Sequence, residues 1–251
     1  MNQLELNHKI EALIKQKDAR KETYSLADKT FIAQYEGAGG HGSKGAQGQG
    51  VLYEFYTPDW LCAKMWELAK YHGYKGGPVL EPACASGRLF KDAPNKKEIT
   101  GFEINPTSAR IAQILYPGTK VYNQYFETAF MEPDRFTQPY KKGLTWLSDY
   151  PFSLVISNPP YGKHVNQYSS YFRTPQMKQM EFFFMYYGVK MLKPGGLLVY
   201  LTSSNIMRSG ITYQGEKETI GQIAELVDAY RLPPVFKFSQ VPTDIIILRK
   251  L

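Results

Sequence analysis

Apolar residues recur at helical spacing near the start of the chain. Leu4, Leu6, Ile10, Leu13 and Ile14 stand among charged residues, a pattern that predicts an amphipathic helix over residues 3–21. A second, shorter helix is expected at 26–35. The stretch that follows, GAGGHGSKGAQGQG at 37–50, has too little apolar content to pack and reads as a flexible loop, either a plain linker or a lid over a ligand. It lacks the GxxxxGK[ST] order, which excludes a P-loop. From residue 51 the pattern changes to short apolar runs. Strands are predicted at 78–83, 99–104, 120–125, 152–157, 196–203, 224–232 and 244–250, with helical segments at 59–72, 86–92, 106–115 and 177–192 between most of them. The segment at 177–192 ends in LKPGG, a typical helix-to-strand connection. Strands alternating with helices predict a mostly parallel seven-stranded sheet covered on both faces. The last two strands have no long helix between them and are expected to pair as an antiparallel hairpin. The expected organisation is a helical extension with its Gly-rich loop over 1–50 and one Rossmann-like α/β domain over 51–251.

Composition narrows the picture. The chain has 251 residues, 43% of them hydrophobic, enough for one sizeable domain and an extension. Lys and Arg number 30 against 23 Asp and Glu, and the net charge of +7 suits a polyanionic partner. Cys62 and Cys84 have no metal-type spacing, so neither a disulfide scaffold nor a metal site is expected. The polar N-terminus has no signal core, and the longest apolar runs are too short to span a bilayer, so a cytoplasmic location is expected.

In doubly wound sheets ligands sit at the carboxyl ends of the strands, near the switch point. The first predicted strand runs into VLEPACASGRLF. There Ala83, Ala85 and Gly87 are small residues in a tight turn that lets a ligand approach the backbone. The second ends in GFEIN, with Glu103 sixteen residues past Gly87 and placed to accept hydrogen bonds from ribose hydroxyls. The turn is not GxGxxG, and Glu81 puts a carboxylate where a pyrophosphate would be repelled. A nucleoside without phosphates, such as S-adenosylmethionine, fits better than NAD.

The fourth strand runs into VISNPPYG at 155–162. Two consecutive prolines cannot continue a ladder, because neither offers an N–H. A rigid strand-ending turn is one reading. The other is a stiff platform for a planar group: the Asn158 side-chain oxygen and the Pro159 carbonyl both accept hydrogen bonds, and Tyr161 can stack. Two acceptors facing an exocyclic amine would draw its lone pair out of conjugation and aim it at an electrophile. This is chemistry for methylating a planar amine with a sulfonium donor, with no metal required.

FYTPDWLCAKM, VLEPACASGRLF, GFEIN, SNPPYG and RLPPVFKFSQVPTDIIIL occur in the order found in the gamma-class N6-adenine DNA methyltransferases. Over most of residues 53–250 the chain resembles the N-6 DNA methylase family, whose fold is the Rossmann-like S-adenosylmethionine-dependent methyltransferase fold. The resemblance implies a donor site in which Thr57 contacts the methionine part, and Glu81, Ala83, Ala85 and Gly87 form the cradle. Glu103 and Ile104 would lie along the ribose, with Asn158 reaching the donor from the acceptor side. Where the family often has an acidic residue for the donor's adenine amine, this chain has Gln124 and Tyr125. Asn158, Pro159, Pro160 and Tyr161 would grip the target adenine, with Phe236 stacking on its other side unless it packs in the core and Phe238 is the exposed partner.

A base inside a duplex cannot reach such a pocket, so the resemblance also implies base flipping. The segment 163–180 interleaves Lys163, His164, Arg173 and Lys178 with aromatic residues, which suits contact with a DNA backbone. No segment is long enough to form a separate target-recognition domain. The chain alone is therefore expected to bind DNA weakly and to methylate adenines with little sequence context unless a partner subunit or a second copy supplies recognition. NPPY is shared with glutamine N5-methyltransferases and some RNA methyltransferases. Methylation of RNA adenine or protein glutamine therefore stays open, as does a non-catalytic role in a DNA modification complex.

Overall fold

A computed structural model describes residues 2–36, 56–130, 151–162, 177, 179–204, 206–208, 213–236 and 242–251. The Gly-rich stretch at 37–50 lies outside the described residues. Two capped helices open the chain. In α1 (Gln3–Ala19) Asn2 and Glu5 form a reciprocal capping box, and Ser25 and Asp28 do the same for α2 (Leu26–Ile32). Next come α3 (Asp59–Tyr71), β1 (Val79–Glu81), β2 (Ile99–Phe102), α4 (Pro106–Leu115), β3 (Lys120–Tyr122), β4 (Phe152–Ser157) and α5 (Met180–Met191). β5 (Leu192–Ser203), α6 (Gln214–Gly221), β6 (Ala224–Leu232) and β7 (Thr243–Lys250) complete the order.

The seven strands form one sheet in the order β3-β2-β1-β4-β5-β7-β6. The pairs from β3 to β5 are parallel, and β7 runs antiparallel between β5 and β6. β1 connects to β2 on one side while β4 lies on its other side. The crevice where the order reverses therefore opens at the carboxyl ends of β1 and β4. One apolar layer packs α3 against Leu154, Ile156, Val199 and Ile247, and the other packs α5 against Val155, Leu198, Tyr200 and Ile246. The alternation of these strand residues assigns successive side chains to opposite faces. α5 approaches β5 closely at Gly188, where an added Cβ would lie 2.7 Å from the Tyr200 hydroxyl, which itself donates to the Phe184 carbonyl. Gly188→Ala is expected to cost about 1–3 kcal/mol by overpacking, read from the shift of its denaturant-unfolding midpoint.

The predicted helix at 86–92 is only a 3-10 turn at Arg88–Phe90, because Ala85 (φ 46°) and Gly87 (φ 80°) hold left-handed backbone that interrupts any helical start. LKPGG is part of β5, whose pairing with β4 begins at Phe152 opposite Leu192. α6 escaped prediction because its polar sequence buries only Glu216 and Ile220. Strand ends predicted through residues 83, 104 and 125 stop at 81, 102 and 122, and the residues beyond them form the ligand-end turns.

The N-terminal helices are packed on the α/β unit. Ile10, Ile14, Ile32 and Tyr35 share an apolar cluster with Ile111 and Ile114 of α4. The Arg110 guanidinium grips Asp18 through two hydrogen bonds of 2.8 and 2.6 Å and holds that carboxyl below its usual range. Among the described residues no helix is long and apolar enough to cross a membrane.

Candidate active site

Three strand-end turns meet at the crevice. In the turn after β1 the Cys84 N–H donates to the Phe102 carbonyl (2.9 Å) and the Gly87 N–H to the Cys84 carbonyl (2.7 Å), folding the chain back sharply. Gly87 is required twice: its φ of 80° suits glycine, and a Cβ there would come within 2.7 Å of the Phe90 ring. Ala85 is left-handed without being glycine, a costly conformation that its surroundings must enforce. Glu103 enforces it. One carboxylate oxygen accepts from the Ala85 N–H at 2.8 Å, and the other accepts from the Asn105 N–H at 2.7 Å. Asn105 in turn caps α4 by accepting from the Thr107 and Ser108 amides. The carboxylate at the end of β2 thus locks the turn after β1 to the start of α4.

Glu81 closes β1 with 3% of its surface exposed, and its Oε2 has no hydrogen-bond partner among the described residues. Burial, reinforced by the neighbouring Glu103 charge, pushes its carboxyl well above the usual carboxylate range. An orphaned buried oxygen of this kind costs free energy unless a ligand meets it. Glu81 lines an open cleft with Tyr56, Thr57, Ala83, Cys84, Ala85, Arg88, Leu89 and Asn158. At its rim the Arg88 guanidinium lies 5.3 Å from the Tyr56 ring centre and 3.8 Å from the Glu36 carboxylate, so the segment that follows α2 reaches the cleft. Burial also pushes the Cys62 and Cys84 thiols up, which leaves both poor nucleophiles.

The turn after β4 carries Asn158–Pro159–Pro160–Tyr161. The Tyr161 hydroxyl donates to Asn158 Oδ1 at 2.6 Å, fixing the amide's orientation. Withdrawal from solvent and the Glu181 charge push the Tyr161 phenol well above its usual pKa, so it remains a donor. Gly162 follows at φ 109°. Its N–H donates to Glu181 Oε2 (3.0 Å), and its carbonyl accepts from the Met180 N–H (2.7 Å).

The fold brings Thr57, Glu81, Ala83, Ala85 and Asn158 around one cleft, with Gly87 and Glu103 shaping it from behind. Ile104, Gln124 and Tyr125 lie at the ends of β2 and β3, outside that lining. The Gln124 side-chain oxygen accepts from the Thr128 hydroxyl at 3.2 Å. Phe236 is 9% exposed and belongs to the apolar cluster against which Tyr161 packs. Lys163, His164, Arg173 and Lys178 lie outside the described residues. Among the described residues no three His, Cys, Asp or Glu side chains gather as a metal site. Sequence reasoning missed Arg88 and Glu181. The signal for Glu181 was a lone acid opening a largely apolar helix whose only other charged residue is Lys190, MEFFFMYYGVKM.

Residues 41–251 match the N-6 DNA methylase family. The chain is 27% identical over 231 residues to the defense against restriction protein B of Escherichia phage P1; the match covers 91% of this chain and 9% of that protein. The methyltransferase subunit of a type I restriction-modification system from Streptococcus thermophilus superposes with a TM-score of 0.58 at 20% identity, covering 78% of this chain and 45% of that one. A Listeria monocytogenes protein described as a class I S-adenosylmethionine-dependent methyltransferase gives 0.57 at 21% identity, covering 77% and 60%. The two solved structures share the fold: a Rossmann-like, mostly parallel seven-stranded sheet with a C-terminal antiparallel pair.

Proposed function

The chain belongs to the N-6 DNA methylase family, and from that premise we propose that it methylates the N6 amine of adenine in DNA, with S-adenosylmethionine as donor. The observation that carries this reading is that Asn158, from the acceptor-side turn, lines the same cleft as Thr57, Glu81, Ala83 and Ala85 from the donor side. The residues fit the donor. An orphaned buried carboxylate oxygen on Glu81 suits an ammonium group, and the Glu103 carboxylate beside the left-handed Ala85 suits ribose hydroxyls. S-adenosylmethionine supplies an electrophilic methyl group on a sulfonium.

The chain's own residues do the rest. Asn158 Oδ1 has two lone pairs, so it can keep the Tyr161 hydroxyl and accept from the target amine. The Pro159 carbonyl takes the amine's second N–H, and the two bonds turn the nitrogen lone pair toward the methyl group. Tyr161 offers its ring to the flipped base, and Phe236 stacks on the other face once it turns out of the apolar cluster. These groups grip a base by its amine and ring and read nothing of its neighbours. Target recognition therefore needs groups beyond this cleft, and a partner subunit or a second copy of the chain would supply them.

Digestion of treated DNA to nucleosides, followed by mass spectrometry for N6-methyladenine, tests the reading directly. Label appearing only in RNA, or only in protein glutamine, would redirect it to another acceptor. DNA affinity should also fall with salt, by about 0.9 in log K per tenfold salt for each phosphate neutralised. A flat dependence would point to a protein substrate.

Glu81 also sets a pH dependence. Its carboxyl is raised, so in the free protein it holds a proton at pH values where an unfolded-chain glutamate has lost its own. Its contribution to stability is therefore present in the ordinary carboxylate range and is lost as pH rises through its own, higher value. Donor affinity should move the other way, because a cationic ligand needs the ionised form. Calorimetry across pH should find affinity rising with pH in the wild type and nearly level in Glu81→Gln.

A further inference from the structure

We propose that Glu181 is a positioning residue for the amine-gripping turn, its buried carboxylate tying the Gly162 amide to the Ser203 hydroxyl. The inference rests on the reading of Asn158 and Pro159 as acceptors for the target amine, and it assigns that platform a support from a helix outside the motif.

Glu181 is 1% exposed, in the first turn of α5. Burying a carboxylate is expensive unless its oxygens are hydrogen-bonded, and both are. Oε2 accepts from the Gly162 N–H at 3.0 Å, and Oε1 accepts from Ser203 Oγ at 2.8 Å. Ser203 ends β5, the strand beside β4, whose last residue precedes Asn158. One side chain thus spans the exit of the turn and the neighbouring strand end.

The clamp at Gly162 is two-sided. The Met180 N–H holds its carbonyl at 2.7 Å while Glu181 holds its amide, and φ of 109° is a backbone conformation that residues with a side chain rarely adopt, although the space beside it is open. Prolines 159 and 160 stiffen the entrance of the turn, but neither has an N–H to anchor it. The Gly162 amide is the first N–H after them apart from that of Tyr161, and Glu181 is what receives it. From there the chain of contacts runs through Tyr161, whose hydroxyl fixes the Asn158 amide at 2.6 Å. Loss of the Glu181 tie should let the platform drift while leaving the donor-side wall of the cleft, formed by Thr57, Glu81, Ala83 and Ala85, unchanged.

The substitutions separate hydrogen bonding from charge. In Glu181→Gln the amide oxygen still accepts from Gly162, and the amide nitrogen donates to Ser203 Oγ, since a hydroxyl can reverse its role. Glu181→Ala removes both ties, and Ser203→Ala removes one. With saturating donor and genomic DNA, the single-turnover rate should fall on the order of 10- to 100-fold in Glu181→Ala and less in Ser203→Ala, with Glu181→Gln close to wild type. Donor affinity by calorimetry should hold within about twofold in all three, the loss lying in placement of the acceptor groups. Amide hydrogen exchange of the peptide around Gly162 supplies an independent readout, and it should speed up in Glu181→Ala and Ser203→Ala alone.

Unchanged exchange and rate in Glu181→Ala would overturn the proposal. So would a rate loss in Glu181→Gln equal to that in Glu181→Ala, which would make charge the agent. If Glu181→Ala does not fold, Ser203→Ala against Glu181→Gln decides the matter. Wild-type protein that methylates no DNA, combined with faster exchange in the variants, would refute the DNA reading and leave the tie standing.

Discussion

Asn158→Ala is expected to abolish methyl transfer, with turnover falling by about 10²–10³-fold while S-adenosylmethionine still binds. The magnitude follows from what the loss of one oriented hydrogen-bonding group aimed at the reacting centre typically costs. Asn158 has a second task that must be separated from the first. Its Oδ1 receives the Tyr161 hydroxyl, so alanine also releases the tyrosine. Tyr161→Phe removes that same hydrogen bond and leaves the amide in place. It should lose far less than Asn158→Ala, and its loss should appear in the KM for DNA as much as in turnover, since the ring face that stacks is retained. Quench-flow methyl transfer with labelled donor reads the rate, and calorimetry reads the donor. Turnover within a few fold of wild type in Asn158→Ala would end the role assigned to the turn. Equal losses in the two variants would mean that the amide matters only as a partner for Tyr161.

The sequence carried the sheet and the motifs further than it carried the turns. Apolar runs such as FSLVIS and DIIILRK announce strands because both faces of this sheet are covered, and the alternation with helices dictates mostly parallel pairing. NPPYG and GFEIN are legible because backbone chemistry restricts where such residues can stand. The turn after β1 was legible, but the helix expected at 86–92 shrank to one turn, because SGRLF has no helix breaker except Gly87 and the left-handed Ala85 before it is a further obstacle. That conformation is imposed by Glu103 from another strand, and no local rule reports it. Phe236 was legible as an aromatic residue but not in its placement, since burial in the cluster beside Tyr161 depends on β6, β7 and α3 converging. Glu181 stood out only as a lone acid in an apolar helix, and its role was not legible: its partners Gly162 and Ser203 lie 19 and 22 residues away and meet only in the fold.

Glu103→Ala should weaken donor binding by about 1.5–3 kcal/mol, roughly 10- to 150-fold, the range for hydrogen bonds to a charged group. The prediction has to distinguish two duties. In the proposed reading Glu103 accepts from the ribose, and in the free protein it receives the Ala85 and Asn105 amides. Removing it leaves a left-handed alanine without the bond that enforces its shape, so the cradle itself should relax. Glutamine is no gentle substitute here, in contrast to Glu181. Both oxygens of Glu103 accept from N–H groups, and an amide nitrogen at either position would set donor against donor. Glu103→Gln should therefore bind the donor nearly as weakly as Glu103→Ala. A cycle with a donor analogue lacking one ribose hydroxyl isolates the direct contact. If the carboxylate holds that hydroxyl, wild type should discriminate against the analogue and Glu103→Ala should not. Equal discrimination by both would confine Glu103 to bracing the turn, and would leave the ribose to be held by the backbone around Ala83 and Ala85.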